Sequence, residues 1–85
     1  MKTEMTMSKL FTTEKLRGLG FTQEREAGFI YLWLELPSGV NLTTPDYEDL
    51  GEDIADDEFH RVYVMGENEQ LSEKQIKEII YGEGQ

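Results

Sequence analysis

Eight carboxylates lie between residues 46 and 58, and no lysine or arginine lies among them. The chain has 18 acids and 8 bases, so outside this segment 10 acids face 8 bases and the charge is close to balanced. Clustered carboxylates can steer and bind a basic surface on another protein. We call residues 46–58 the acidic segment and expect its acids to contact a partner: Asp46, Glu48, Asp49, Glu52, Asp53, Asp56, Asp57 and Glu58.

Aromatic residues form a second candidate surface. In the run from residue 29 to residue 36, Phe29, Tyr31 and Trp33 alternate with aliphatic residues, so a β-strand would place the two sets on opposite faces. Tyr63 lies in another alternating run of strand-forming residues. Tyr31, Trp33 and Tyr63 are therefore a candidate aromatic interface, since aromatic residues are enriched where proteins meet. Packing into the core is the alternative.

The composition argues against most catalytic chemistry. The chain has no cysteine and one histidine, His60, which excludes disulfides, thiolate metal sites and two-histidine metal sites. Asp46, Glu48, Gly51 and Asp57 match calcium-loop positions, but Leu50 occupies a ligand position and the match is weak. We expect a protein that is not an enzyme and holds no cofactor and no metal.

Hydropathy predicts no membrane association. No apolar run approaches 18 residues, and the first residues are too polar for a signal peptide. We expect a cytoplasmic protein.

Capping and turn signals predict an α+β domain over residues 9–82, between a flexible tail at 1–8 and a short tail at 83–85. A short helix follows Thr12, and a second helix follows Ser72, which forms a capping-box pattern with Gln75. Between them we expect an antiparallel meander of three to four strands: 21–25, 29–36, 40–43 and 59–65. The second helix should pack on one face of this sheet.

The acidic segment, just before the last of these strands, is predicted as either a helix or a loop. Thr44 and Pro45 suit a helix start, and Tyr47, Leu50 and Ile54 would form one apolar stripe that could cover the aromatic face of the sheet. Several like-charge pairs four residues apart oppose a helix, as does Gly51.

Charge spacing gives the functional hypothesis. As a helix the segment would span about 20 Å, or one charge per roughly 2.5 Å, against about 1.7 Å for duplex DNA. In size, acidity and α+β pattern the chain resembles the nucleic-acid-mimicking inhibitors that phages make against CRISPR nucleases and restriction enzymes. We carry no functional residue over from that resemblance.

We therefore expect a small acidic binding protein, in the manner of a DNA mimic, that occupies a basic surface of a protein that handles nucleic acid. Direct nucleic acid binding is not expected, because the chain has a formal charge of −10. The alternative is a homodimer or scaffold domain that uses the aromatic face, with the acids serving only solubility.

Overall fold

The structure, a computed structural model, describes residues 10–82. The predicted tails at 1–8 and 83–85 lie outside the described residues. Within the described part no helix is long and apolar enough to cross a membrane. The elements in chain order are β1 (Phe11–Thr12), α1 (Thr13–Gly18), β2 (Thr22–Glu26), β3 (Phe29–Glu35), β4 (Asn41–Thr43), β5 (Tyr47–Glu48), β6 (Phe59–His60), β7 (Tyr63–Val64) and α2 (Glu73–Tyr81).

The fold is α+β, as predicted. The main sheet is antiparallel with strand order β2-β3-β4-β7, and β5 pairs with β3 beside β4. A second, two-stranded sheet joins β1 to β6. The predicted strands at 21–25, 29–36 and 40–43 form within one residue of the expected bounds.

The first hairpin is tighter than the sequence predicted. Glu26 pairs with Phe29, so the loop contains only Ala27 and Gly28, and both have positive φ (55° and 87°). Two consecutive positive φ values are typical of the type I′ turn, whose twist matches that of the flanking strands. Ala27 has a backbone conformation that residues with a Cβ rarely adopt.

Both predicted helix caps are confirmed. The Thr12 side chain accepts a hydrogen bond from the Lys15 backbone N–H, and Ser72 and Gln75 form the two reciprocal bonds of a capping box. Both helices bury aliphatic side chains against the same face of the main sheet. Leu16 and Ile76 are fully buried there with Leu32, Leu42 and Val62.

The predicted strand 59–65 is two short strands in different sheets. β6 pairs with β1, and after two residues β7 pairs with β4. The break falls at Arg61 and Val62, and Val62 is fully buried in the core. Alternation continues through the break, so the pattern alone does not distinguish one strand from two.

Candidate functional site

The acidic segment is a loop, apart from the two residues of β5. The Asp49 carboxylate accepts a hydrogen bond from the Gly51 backbone N–H at 2.9 Å, closing a local turn that competes with a helix. Gly51 has φ of 86°, which is incompatible with a right-handed helix. Of the two predictions for this segment, the loop is correct.

Two side chains of β2 hold the loop in place. Gln23 accepts a hydrogen bond from the Ile54 backbone N–H at 2.8 Å and donates one to Asp53 at 3.0 Å. Arg25 donates from Nε to Asp49 at 3.1 Å and from Nη2 to the Glu52 carbonyl at 3.0 Å. The same Nη2 lies 3.3 Å from Asp53.

The far end of the loop is bound to α1. Arg17 pairs with Asp56 at 3.0 Å, and the backbone N–H groups of α1 donate to the carbonyls of Asp56 and Glu58 at 3.1 and 3.0 Å. The acidic segment is thus fixed at both ends, partly by backbone hydrogen bonds.

The eight predicted contact acids fall into two groups. Asp49, Asp53 and Asp56 pair with arginines, so five of the eight remain without an ion pair among residues 10–82. All five are exposed: Asp46, Glu48, Glu52, Asp57 and Glu58. Two arginines against eight carboxylates leave a local formal charge of −6.

The pairing changes the acidity of two carboxyl groups. The hydrogen bond from Gly51, and then Arg25, lower the pKa of Asp49 below its ordinary value. The hydrogen bond from Gln23, and then Arg25, lower the pKa of Asp53. Both groups are therefore ionised at neutral pH.

The predicted apolar stripe of the segment does not form, because its residues take separate positions. Tyr47 lies in β5 and hydrogen bonds to His60, Ile54 packs against the core, and Leu50 is 75% exposed. Gln23 and Arg25 pair with Leu32 and Ile30, so the loop lies toward the aliphatic face of the sheet. The acidic segment therefore does not cover the aromatic face.

A hollow of about 310 Å³ separates the loop from the sheet. Ile30, Tyr47, Leu50 and Ile54 form part of its lining. Ala55 and His60 also line it, as do four acidic residues: Glu48, Glu52, Asp53 and Glu58. Apolar walls and carboxylates together suit a lysine or arginine side chain, which has an aliphatic stem and a cationic end.

The three residues of the candidate aromatic interface lie on one face of the sheet. Trp33 pairs with Thr43, and Thr43 pairs with Tyr63 on its other side, while Tyr31 is two residues from Trp33 along β3. Paired residues of an antiparallel sheet lie on the same face. Tyr31, Trp33 and Tyr63 are each half-buried, and both helices pack on the opposite face.

An open groove of about 690 Å³ joins the aromatic face to the start of the acidic segment. Tyr31 and Tyr63 line it together with four charged residues: Glu26, Asp46, Arg61 and Glu67. Trp33 is not among its lining residues. Sequence reasoning missed Glu26, which the hairpin of β2 and β3 brings to the Tyr31 hydroxyl, and it missed Arg61 and Glu67.

Among residues 10–82 no group of three or more acidic, histidine or cysteine side chains is placed to hold a metal ion. Comparison with known proteins found no matching family model, no matching curated protein and no matching solved structure.

Proposed function

We propose that this chain is a non-enzymatic binding protein that occupies a basic surface of another protein through the acidic segment. The observation that carries the proposal is the set of five exposed carboxylates that have no ion pair with any residue from 10 to 82, on a loop whose ends are fixed. Their charge is available to a partner, whereas that of Asp49, Asp53 and Asp56 is largely used within the molecule.

The fixed conformation of the loop favours binding, in addition to its charge. A mobile acidic segment would lose conformational entropy on binding, and that loss would weaken the complex. Here Gln23, Arg25 and Arg17 hold the loop, so the loop loses less conformational entropy on binding. Charge complementarity on a fixed surface raises the association rate and makes binding sensitive to salt.

The hollow beside the loop suits a cationic side chain of the partner. Its apolar walls would contact the stem of a lysine or arginine, and Glu52 and Glu58 would lie at the charged end. One inserted side chain of this kind would fix the register of the partner.

We further propose that the partner handles nucleic acid and that the chain acts as its inhibitor. The net charge supports this, since a groove that binds phosphates is strongly basic and would attract a surface of charge −6. Because the segment is a loop, it does not have the regular charge spacing of a helix, and charge spacing does not support DNA mimicry. The proposal rests on charge and exposure rather than on phosphate-like spacing.

The test compares two variants of equal net charge. The loop variant replaces exposed acids without an ion pair: Glu52→Gln, Asp57→Asn and Glu58→Gln. The control variant replaces three exposed acids elsewhere: Glu14→Gln, Glu69→Gln and Glu78→Gln. Each protein is immobilised and exposed at low salt to a lysate of the source cells, and bound protein is eluted with a salt gradient.

The proposal expects a basic, nucleic-acid-handling protein to be retained by the wild type and the control variant and lost from the loop variant. Equal retention by all three proteins would reject the acidic segment as the contact. Loss from both variants would show that only the net charge matters.

Homodimerisation through the aromatic face is a second candidate. One observation favours it: Phe29, on the same face as Tyr31 and Trp33, is 47% exposed, and both helices pack on the opposite face. Light scattering would show a dimer that Trp33→Arg converts to a monomer and that the loop variant leaves intact. A monomer at high protein concentration would reject this candidate.

A further inference from the structure

The aromatic face of the sheet carries rows of acids beside its aromatic residues. Across β2 and β3, Glu24 pairs with Tyr31 and Glu26 with Phe29. On the other side of β3, Glu48 also pairs with Phe29. The strand pairs therefore surround the exposed rings with carboxylates, a pattern that the linear sequence does not display.

Tyr31 lies at the centre of this negative field. Its hydroxyl donates a hydrogen bond to Glu26 at 3.3 Å. Burial raises the pKa of Tyr31, and the negative charges of Glu26, Glu24 and Asp46 raise it further. The ring of Tyr31 thus offers an electron-rich surface within reach of several carboxylates.

The groove beside Tyr31 has the same character. Three carboxylates line it, those of Glu26, Asp46 and Glu67, against the single guanidinium of Arg61. The rings of Tyr31 and Tyr63 line it as well. Aromatic rings and carboxylates attract the same class of group, a cation that can lie over a ring while its N–H groups donate to oxygen.

We propose that this groove binds an extended peptide segment of a partner protein through its arginine or lysine side chains, which lie against Tyr31 and Tyr63 and pair with Glu26 and Asp46. The volume of about 690 Å³ is large enough for such side chains, and the groove is open at the surface. Among the lining residues of the groove, Asp46 alone belongs to the acidic segment. Peptide binding in the groove therefore does not require the rest of that segment as a contact.

Charge argues against two other occupants. A nucleic acid would bring phosphates to a lining of net charge −2, counted as three carboxylates and one guanidinium. A second copy of the chain, itself of charge −10, would bring Glu24, Glu26 and Glu48 toward the same residues of its partner. A cationic segment is the occupant that complements the groove.

The test uses a defined probe, the capped peptide Gly-Arg-Gly-Arg-Gly, and an uncharged control in which citrulline replaces both arginines. Amide and side-chain NMR shifts of the full chain are followed at low salt up to millimolar peptide. We expect the arginine peptide to shift Tyr31, Thr43 and Tyr63, and the citrulline peptide to bind at least about fivefold more weakly. Equal binding of the two peptides, or no shift of these residues at millimolar peptide, would overturn the proposal.

Two sets of substitutions separate this groove from the acidic segment. The groove variant, Glu26→Gln with Asp46→Asn, should weaken the arginine peptide at least about fivefold. The substitution Tyr63→Thr, which preserves strand propensity, should also weaken it. The loop variant Glu52→Gln, Asp57→Asn and Glu58→Gln should bind the peptide within about twofold of the wild type. A loss confined to the loop variant would overturn the groove proposal.

The outcomes for the two sites are distinguishable. If the loop variant loses the captured protein yet retains the peptide, both proposals stand. If the loop variant retains both the captured protein and the peptide, the acidic segment is rejected as the contact and the groove proposal stands. A concentration-dependent dimer that the arginine peptide does not dissociate would assign the aromatic face to a second copy and overturn the groove proposal.

Discussion

His60 is buried at the point where the two sheets meet. Its Nε2 lies 2.7 Å from the Thr13 hydroxyl and its Nδ1 lies 2.8 Å from the Tyr47 hydroxyl. Neutral imidazole has one donor and one acceptor, so one of the hydroxyls donates and the other accepts. The side chain connects α1 to β5, and through β5 to the start of the acidic segment.

The stability of the protein should therefore fall as the pH falls below about 6.5, the ordinary pKa of histidine. Burial lowers the pKa of His60, and the nearby charge of Glu58 opposes that effect only in part. The unfolded chain consequently takes up a proton at a higher pH than the folded chain, and acidification favours unfolding. Urea unfolding between pH 8 and pH 5.5 measures the effect, above the range in which ordinary carboxyl groups titrate.

A direct check is the NMR titration of His60, the only histidine of the chain. We expect an apparent pKa below 6.5 in the folded protein. A pKa at or above 6.5, together with a free energy of unfolding that stays constant between pH 8 and pH 5.5, would contradict the burial of a neutral His60 ring.

Ala27 provides a second test at a single residue. Its positive φ of 55° costs an alanine about 1 kcal/mol, and asparagine adopts this conformation more readily. We expect Ala27→Asn to raise the free energy of unfolding by up to about 1 kcal/mol. Denaturant unfolding measures this, and Ser38→Asn in the next turn is a comparison, because Ser38 itself does not have a positive φ. Destabilisation by Ala27→Asn would contradict the turn geometry.

Sequence reasoning located the acids but did not distinguish their roles. Neutralising Asp49, Asp53 and Asp56 would remove the carboxylate partners of Arg25 and Arg17, and so would change contacts that hold the loop as well as its charge. Which acids pair internally depends on strand register, since β2 brings Arg25 to residues that lie 24 and 28 positions away in sequence. Composition alone does not contain that information.

At the scale of elements, the sequence predicted the starts of the helices correctly, because the residues that cap each helix lie within a few positions of one another. Thr12, and Ser72 with Gln75, fulfil the predicted capping roles. These interactions span a few residues, so sequence spacing specifies them. The acidic segment differs, because its loop conformation depends on Gln23 and Arg25 of another element.

The loop conformation should therefore depend on Gln23. In Gln23→Ala the Ile54 N–H loses its acceptor and Asp53 loses a donor. We expect amide hydrogen exchange at Ile54 to accelerate by roughly fivefold to tenfold, since one hydrogen bond contributes about 1 kcal/mol. Native-state exchange followed by NMR measures this.

Glu24→Gln is the matched control for that experiment, because it changes the neighbouring residue on the opposite face of β2. It should leave exchange at Ile54 unchanged. Equal acceleration in both variants would mean that the strand itself, rather than the Gln23 side chain, holds the loop.

Across the whole molecule the charge is divided between two surfaces. The acidic segment lies toward the aliphatic face, where Gln23 and Arg25 hold it, whereas the groove lined by Tyr31 and Tyr63 lies on the opposite face. The helical alternative for the segment, in which its apolar stripe would cover the aromatic rings, does not form. The segment instead contributes Ile54 to the core and leaves the rings half-exposed.

This division arises because the aliphatic face needs more apolar cover than two short helices provide. Leu16 and Ile76 cover part of that face, and Ile54 packs against the same cluster. Burying aliphatic surface is favourable by about 25 cal/mol per Å². The sequence pattern showed both faces to be apolar, and the expectation that a helical segment would cover the aromatic face is not met, because Ile54 packs against the aliphatic cluster.

The most direct test of the central claim is the salt dependence of binding to the captured basic protein, once that protein has been purified. Affinity is measured between 50 and 300 mM salt for the wild type, the loop variant and the charge-matched control variant. We predict that the control variant keeps the affinity and salt slope of the wild type, whereas the loop variant binds at least about tenfold more weakly with a shallower slope. Identical slopes and affinities for the loop variant and the wild type would contradict the assignment of the acidic segment as the binding surface.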